Sequence, residues 1–134
     1  MIVSSASLLR KVLLVDAATC VAAGALMSFG AGALAALLNL PSTLLLEGGI
    51  VLFPVAAFIA FVASRGRLSA AAVWIVIGGN VLWIVGSIWV MAGGVLAPNG
   101  LGQSFVAGQA VTVAVLTFLE YRGVTHLTTH SDPA

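Results

Sequence analysis

Asp16, Glu47, Glu120 and Asp132 are the carboxylates of this chain, and His126 and His130 are its imidazoles. Three of the four carboxylates lie inside or at the edge of long apolar runs. In hydrocarbon, an ionised side chain costs roughly 3 kcal/mol or more unless it is hydrated or paired. Each of these residues therefore needs a stated reason to be there.

Asp16 falls about one helical turn inside the start of the first apolar run. Arg10 and Lys11 are close in sequence but do not share its helical face. Arg65, Arg67 and Arg122 end other runs at the same membrane face. An interhelical ion pair at that rim is the expected role of Asp16, with a proton or substrate site as the alternative. Glu47 lies about one turn inside the opposite face, which carries no basic residue. It is expected to be hydrated, or to bond Gln103 or Ser104. A cation or proton access point and an intersubunit contact are its other readings. Glu120 neighbours Arg122 and reads as a solvated rim residue.

The groups expected at mid-depth are neutral. Asn80 lies near the centre of the third run, with Ser87 on the same face, and Gln109 shares a face with Thr112 on the fourth. Such groups hydrogen-bond between helices, contributing about 0.6–2 kcal/mol each. Cys20 has no partner for an intrachain disulfide and reads as a small core residue. His126 and His130 have i, i+4 spacing but no third ligand, so no metal site is expected. No nucleophile–base pair, phosphate loop or carboxylate dyad is visible in the spacing. The expectation is no enzyme, with no catalytic residues and no cofactor.

The elements that carry these residues follow from composition. The chain has 134 residues, 61% hydrophobic and 7% charged, with a mean hydropathy of +1.20. A soluble domain carries about 25% charged residues. Four continuous apolar stretches stand out: 12–38, 44–64, 70–93 and 101–119. Each is close to the roughly 20 residues that cross a hydrocarbon core as a helix. None shows the alternation of a transmembrane β-strand. Asn39-Leu40-Pro41-Ser42, Arg65-Gly66-Arg67 and Ala97-Pro98-Asn99-Gly100 are the turns between them. The first run is too long for a signal-peptide core and is interrupted by Asp16. The fold expected is an all-α integral membrane bundle of four helices. It forms one domain over 1–125, followed by a disordered polar tail at 126–134.

With four spans, Arg10, Lys11, Arg65, Arg67 and Arg122 share one face and the other face has none. The positive-inside rule puts that face in the cytoplasm, giving an N-in/C-in topology. A bacterial inner membrane is the expected location. Lipid does not push apolar helices together, so close backbone contact must do so. Gly24 and Ser28 form one small-residue pair. Gly79, Trp83 and Gly86 form a stripe on the third helix that reads as a helix–helix seam. Pro54 falls within the second span and should kink it.

The runs Val15-Asp16-Ala17-Ala18, Gly79-Asn80-Val81-Leu82-Trp83 and Leu119-Glu120-Tyr121-Arg122-Gly123 resemble those of small four-helix bacterial inner-membrane proteins of unassigned function. The resemblance implies the fold and the location but no mechanism. Beyond the bilayer, the expected partners are a second copy or another membrane protein. A net charge of +1 offers nucleic acid no footprint. An accessory or self-associating membrane subunit is the function expected. The alternative is a small transporter or channel using Glu47 or Asp16.

Overall fold

In a computed structural model, which describes residues 5–130, the chain is all helical. The helices are α1 (Ser5–Phe29), α2 (Ala31–Leu38), α3 (Ser42–Ser64), α4 (Ala70–Ala92) and α5 (Gly100–His130). Four of them contain stretches long and apolar enough to cross a membrane: Ala6–Phe29, Ser42–Ser64, Ala70–Ala92 and Gly100–Leu127. This is a multi-pass membrane protein built as a helical bundle.

The turns fall where the sequence puts them. Pro41 starts α3, and Ser69 caps α4 by accepting from the Ala72 N–H at 3.2 Å. Asn39 ends α2 in the left-handed conformation, at φ 56°. Three boundaries differ from the expectation. The first apolar stretch bends at Gly30 and divides into α1 and α2. Hydrogen bonds run through the bend, from Gly30 N to Leu26 O at 2.9 Å and from Leu34 N to Gly30 O at 2.8 Å. A Cβ at Gly30 would lie 2.7 Å from the Leu26 carbonyl, so glycine permits the bend. At the other end, α1 is already helical at Ser5, the first described residue, rather than from near Val12, because the polar residues before the apolar run continue its helix. By the same logic α5 runs on past Leu119 to His130. Residues 126–130 are thus helical rather than a disordered tail, and 131–134 lie outside the described residues.

α1 packs on α3 and on α5, and α4 packs on α5, whereas α3 and α4 barely meet. The bundle is a ring of four with one open seam. The tightest contact is α1 on α3. A Cβ at Gly24 would lie 2.9 Å from the Gly49 carbonyl, and one at Gly49 would lie 2.6 Å from Ser28 Oγ. The pair Gly24 and Ser28 is therefore a packing seam, with Gly49 as its partner. The Gly79, Trp83 and Gly86 stripe is not a seam within this chain. A Cβ at Gly79 or Gly86 would have no neighbour within 4 Å, and both residues are exposed. Trp83 alone reaches across, its Cη2 lying 3.7 Å from where a Gly48 Cβ would sit on α3.

Both ends of the bundle are tied. At one end Asn39 Nδ2 donates to the Ala97 carbonyl at 2.5 Å, and Asn99 Nδ2 donates to the Leu37 carbonyl at 2.7 Å. Each asparagine thus holds the other turn. At the end with the termini, the Arg10 guanidinium donates to the carbonyls of Ala63 and Arg65, capping α3.

Candidate functional site

Extension of α1 and α5 moves two acids. Asp16, expected one turn from a helix end, lies near the middle of α1, level with Asn80 at the middle of α4. Glu120, expected on the rim, is 0% exposed, and Asp16 is 1% exposed. Asn80 joins them. Its Nδ2 donates to Asp16 Oδ2 at 2.9 Å and to Glu120 Oε1 at 2.9 Å. Cys20, one turn on from Asp16, places its Sγ 3.8 Å from Asp16 Oδ1. The fold thus assembles a carboxylate pair that no sequence spacing displays.

The expected ion pair is replaced by this cluster. Asp16 bonds Asn80 and Cys20, and among the described residues no arginine is a hydrogen-bond partner of it. Arg10 is spent on the end of α3, while Arg65 lies over the Phe61 ring and Arg122 over the Phe118 ring. Arg65, Arg67 and Arg122 are all exposed.

The arrangement has a definite electrostatic consequence. Two oxygens each 2.9 Å from one nitrogen can be no further apart than twice that distance. Two full negative charges at that separation repel by about 3 kcal/mol at an effective dielectric of about 20. That repulsion adds to the cost of burying either charge. A single bridging amide donates two N–H bonds and carries no charge. Glu120 Oε2 is also buried and has no hydrogen-bond partner. The site thus gathers two acids around one amide nitrogen and leaves one further carboxyl oxygen buried among the described residues without a donor.

Its surroundings are asymmetric. Toward the end with the termini, Leu9, Leu13, Val73 and Val124 are all at most 1% exposed, and they close that side with a dry plug. Leu9 lies so close to Gly123 that a Cβ there would be 2.8 Å from its Cδ1. Toward the opposite end, Asp16 and Asn80 line a cavity of about 900 Å³ bounded by α1, α3, α4 and α5. The cavity rises past Gln109 to Ser104 and adjoins the open seam between α3 and α4. Its hydroxyls are occupied by their own helices: Thr19 donates to Val15 O, Ser104 to Gly100 O and Thr112 to Gly108 O. Gln109 Nε2 reaches Met27 Sδ at 3.5 Å.

The other candidates fall outside the cluster. Glu47 is exposed near the start of α3; Gln103 instead bonds the Met91 carbonyl. Ser87 donates to the Trp83 carbonyl in its own helix. Asp16 and Asn80 are brought together, Gln109 shares their cavity, and Glu120 is the member that the sequence did not single out. Its signal would have been the helical phase of an α5 running past Arg122: Leu116, Glu120 and Val124 recur every four residues, and all three are buried. No protein-family model, no curated protein and no solved structure matches this chain.

Proposed function

We propose that this protein is a small membrane carrier whose Asp16–Asn80–Glu120 cluster binds the proton or cation that it moves. The observation that carries the proposal is the carboxylate pair on one amide nitrogen, buried within the bundle, with Asp16 and Asn80 facing a cavity. Intramembrane acids mark ion and proton pathways. An open channel is disfavoured, because Leu9, Leu13, Val73 and Val124 leave no wet path to the other side. Transfer to that side would require the helices to shift around the cluster. The five basic residues support a bacterial inner-membrane location with both termini in the cytoplasm.

A proteoliposome experiment tests this reading. Vesicles containing the purified protein and an internal pH dye are given a pH gradient. Protein-dependent dissipation of the gradient is expected, and Asp16→Asn and Glu120→Gln should each reduce it at least about tenfold. Leakage equal to that of protein-free vesicles would refute the carrier reading.

A second reading, self-association, draws on α4 at Gly78 and Gly86, which lie outside the cavity lining and leave room beside the backbone. It is compatible with the carrier, since dimerisation could cover that face.

A further inference from the structure

We infer that the cavity binds an organic cation with an apolar body, admitted from the bilayer through the seam between α3 and α4. The inference rests on the carrier reading and identifies the chemical class of its ligand. It begins with the cavity wall. Val55, Phe58, Ile75, Leu82 and Trp83 represent a lining that is overwhelmingly apolar, and Asp16 is its one charge. A volume of about 900 Å³ far exceeds what a proton or an inorganic ion requires. It falls instead in the range of pockets for drug-sized ligands, about 300–1,000 Å³.

The wall chemistry separates the possible occupants. A hydrated inorganic cation would shed its water against valine, isoleucine and phenylalanine and gain nothing in return. A lipid acyl chain would suit the wall but would leave the acid pair without a use. A membrane-soluble ammonium suits both. Its body contacts the wall, and its charge and N–H groups meet Asp16, the one carboxylate in the cavity lining. The rings of Phe58 and Trp83 also attract a cation. Charge balances simply: the amine enters neutral from lipid, takes up one proton from the acids and stays as an ammonium beside the carboxylate it leaves, so the site keeps its net charge.

The route follows from packing. The dry plug closes the side toward the termini. Phe58, Ile75 and Leu82 line the cavity and are 38%, 64% and 73% exposed, so the cavity is open where they stand. They stand on α3 and α4, the two helices that barely meet. The cavity is therefore reached from lipid, where such an amine concentrates.

The test uses the full chain in phosphatidylcholine nanodiscs with Trp74→Phe and Trp89→Phe, leaving Trp83 as the reporter. The probes are N,N-dimethyl-3-phenylpropylamine and its neutral counterpart, methyl 3-phenylpropyl ether. The amine should shift Trp83 emission saturably. Binding should be at least about tenfold weaker for the ether, and for the amine with Asp16→Asn. Gly79→Leu places a side chain in the cavity without touching the acids, and it too should weaken the amine at least about tenfold. Equal binding of amine and ether would overturn the inference, as would undiminished amine binding to Gly79→Leu or to folded Asp16→Asn. If the proteoliposomes show acid-dependent flux and the amine does not bind, the ligand class is wrong and the carrier reading stands. If the amine binds as stated and no flux is seen, the site assignment stands and the carrier reading fails.

Discussion

Asp16 on α1 and Glu120 on α5 accept hydrogen bonds from the same nitrogen, Asn80 Nδ2, each at 2.9 Å. Three helices thus meet at one amide, and α3, which contributes nothing to the cluster, is the helix that stands off from α4.

Substitutions within the cluster should separate stability from activity. Asn80→Leu removes the donor and leaves two buried acids facing each other, at a cost of about 1–3 kcal/mol. Glu120→Gln instead removes one of the two competing charges and supplies another donor, so stability should hold or rise while transport is lost. Thermal melts in detergent check both. A Glu120→Gln protein that unfolds well below the parent would show that the acid is structural.

The α1–α3 seam and the α4 glycine face should respond oppositely to added side chains. At Gly49 a Cβ would lie within 3.0 Å of Ser28 and of the Gly24 carbonyl. Gly49→Ala should therefore cost about 1–3 kcal/mol through overpacking. Gly86→Ala meets open space and should be neutral, or stabilising by up to about 1 kcal/mol through helix propensity. Denaturant-dependent unfolding in micelles distinguishes the two. Equal losses would mean that Gly86 also faces a packed neighbour.

The interlocked turns should behave as a unit. Asn99 donates to the Leu37 carbonyl and accepts from the Gly102 N–H at 2.8 Å. Asn99→Ala loses a helix cap and a bond between turns, an expected cost of about 1–2 kcal/mol. Asn39→Ala should add less to the Asn99→Ala protein than to the parent, because both hold the same pair of turns. Fully additive melts would contradict that coupling.

Topology is checked by labelling. Cys20 is the chain's one cysteine and is buried, so a Cys20→Ala background is clean. Cysteines at Ser42 and Ala97 should react with an impermeant maleimide from outside the cell, and one at Gly66 should not. Reaction of Gly66→Cys alone would invert the assignment.

The sequence was most legible where a single residue acts locally. Pro41 and Asn39 mark helix ends because each sets backbone geometry at its own position. The candidate site was harder to read, for two physical reasons. Apolar runs locate hydrocarbon, not helix ends, so stopping the last helix at Leu119 made Glu120 a rim residue and left Asp16 one turn from water. Small-residue spacing identifies a face but not what lies opposite: Gly24 with Ser28 found Gly49, whereas Gly79 with Gly86 found open space. The clustering of Asp16 with Glu120 is a property of the assembled bundle, since the two acids come from its first and last helices.

The most direct measurement of the central claim is infrared spectroscopy of the lipid-embedded protein at neutral pH, resolving the carboxylic acid C=O stretch from the carboxylate bands. With both acids on one amide nitrogen, the parent should show a protonated carboxyl shielded from water. That band should be absent from the Asp16→Asn/Glu120→Gln protein, and adding the amine probe to the parent should diminish it. A parent spectrum with every carboxyl ionised, or a protonated band that survives in the double variant, would contradict a proton held between Asp16 and Glu120.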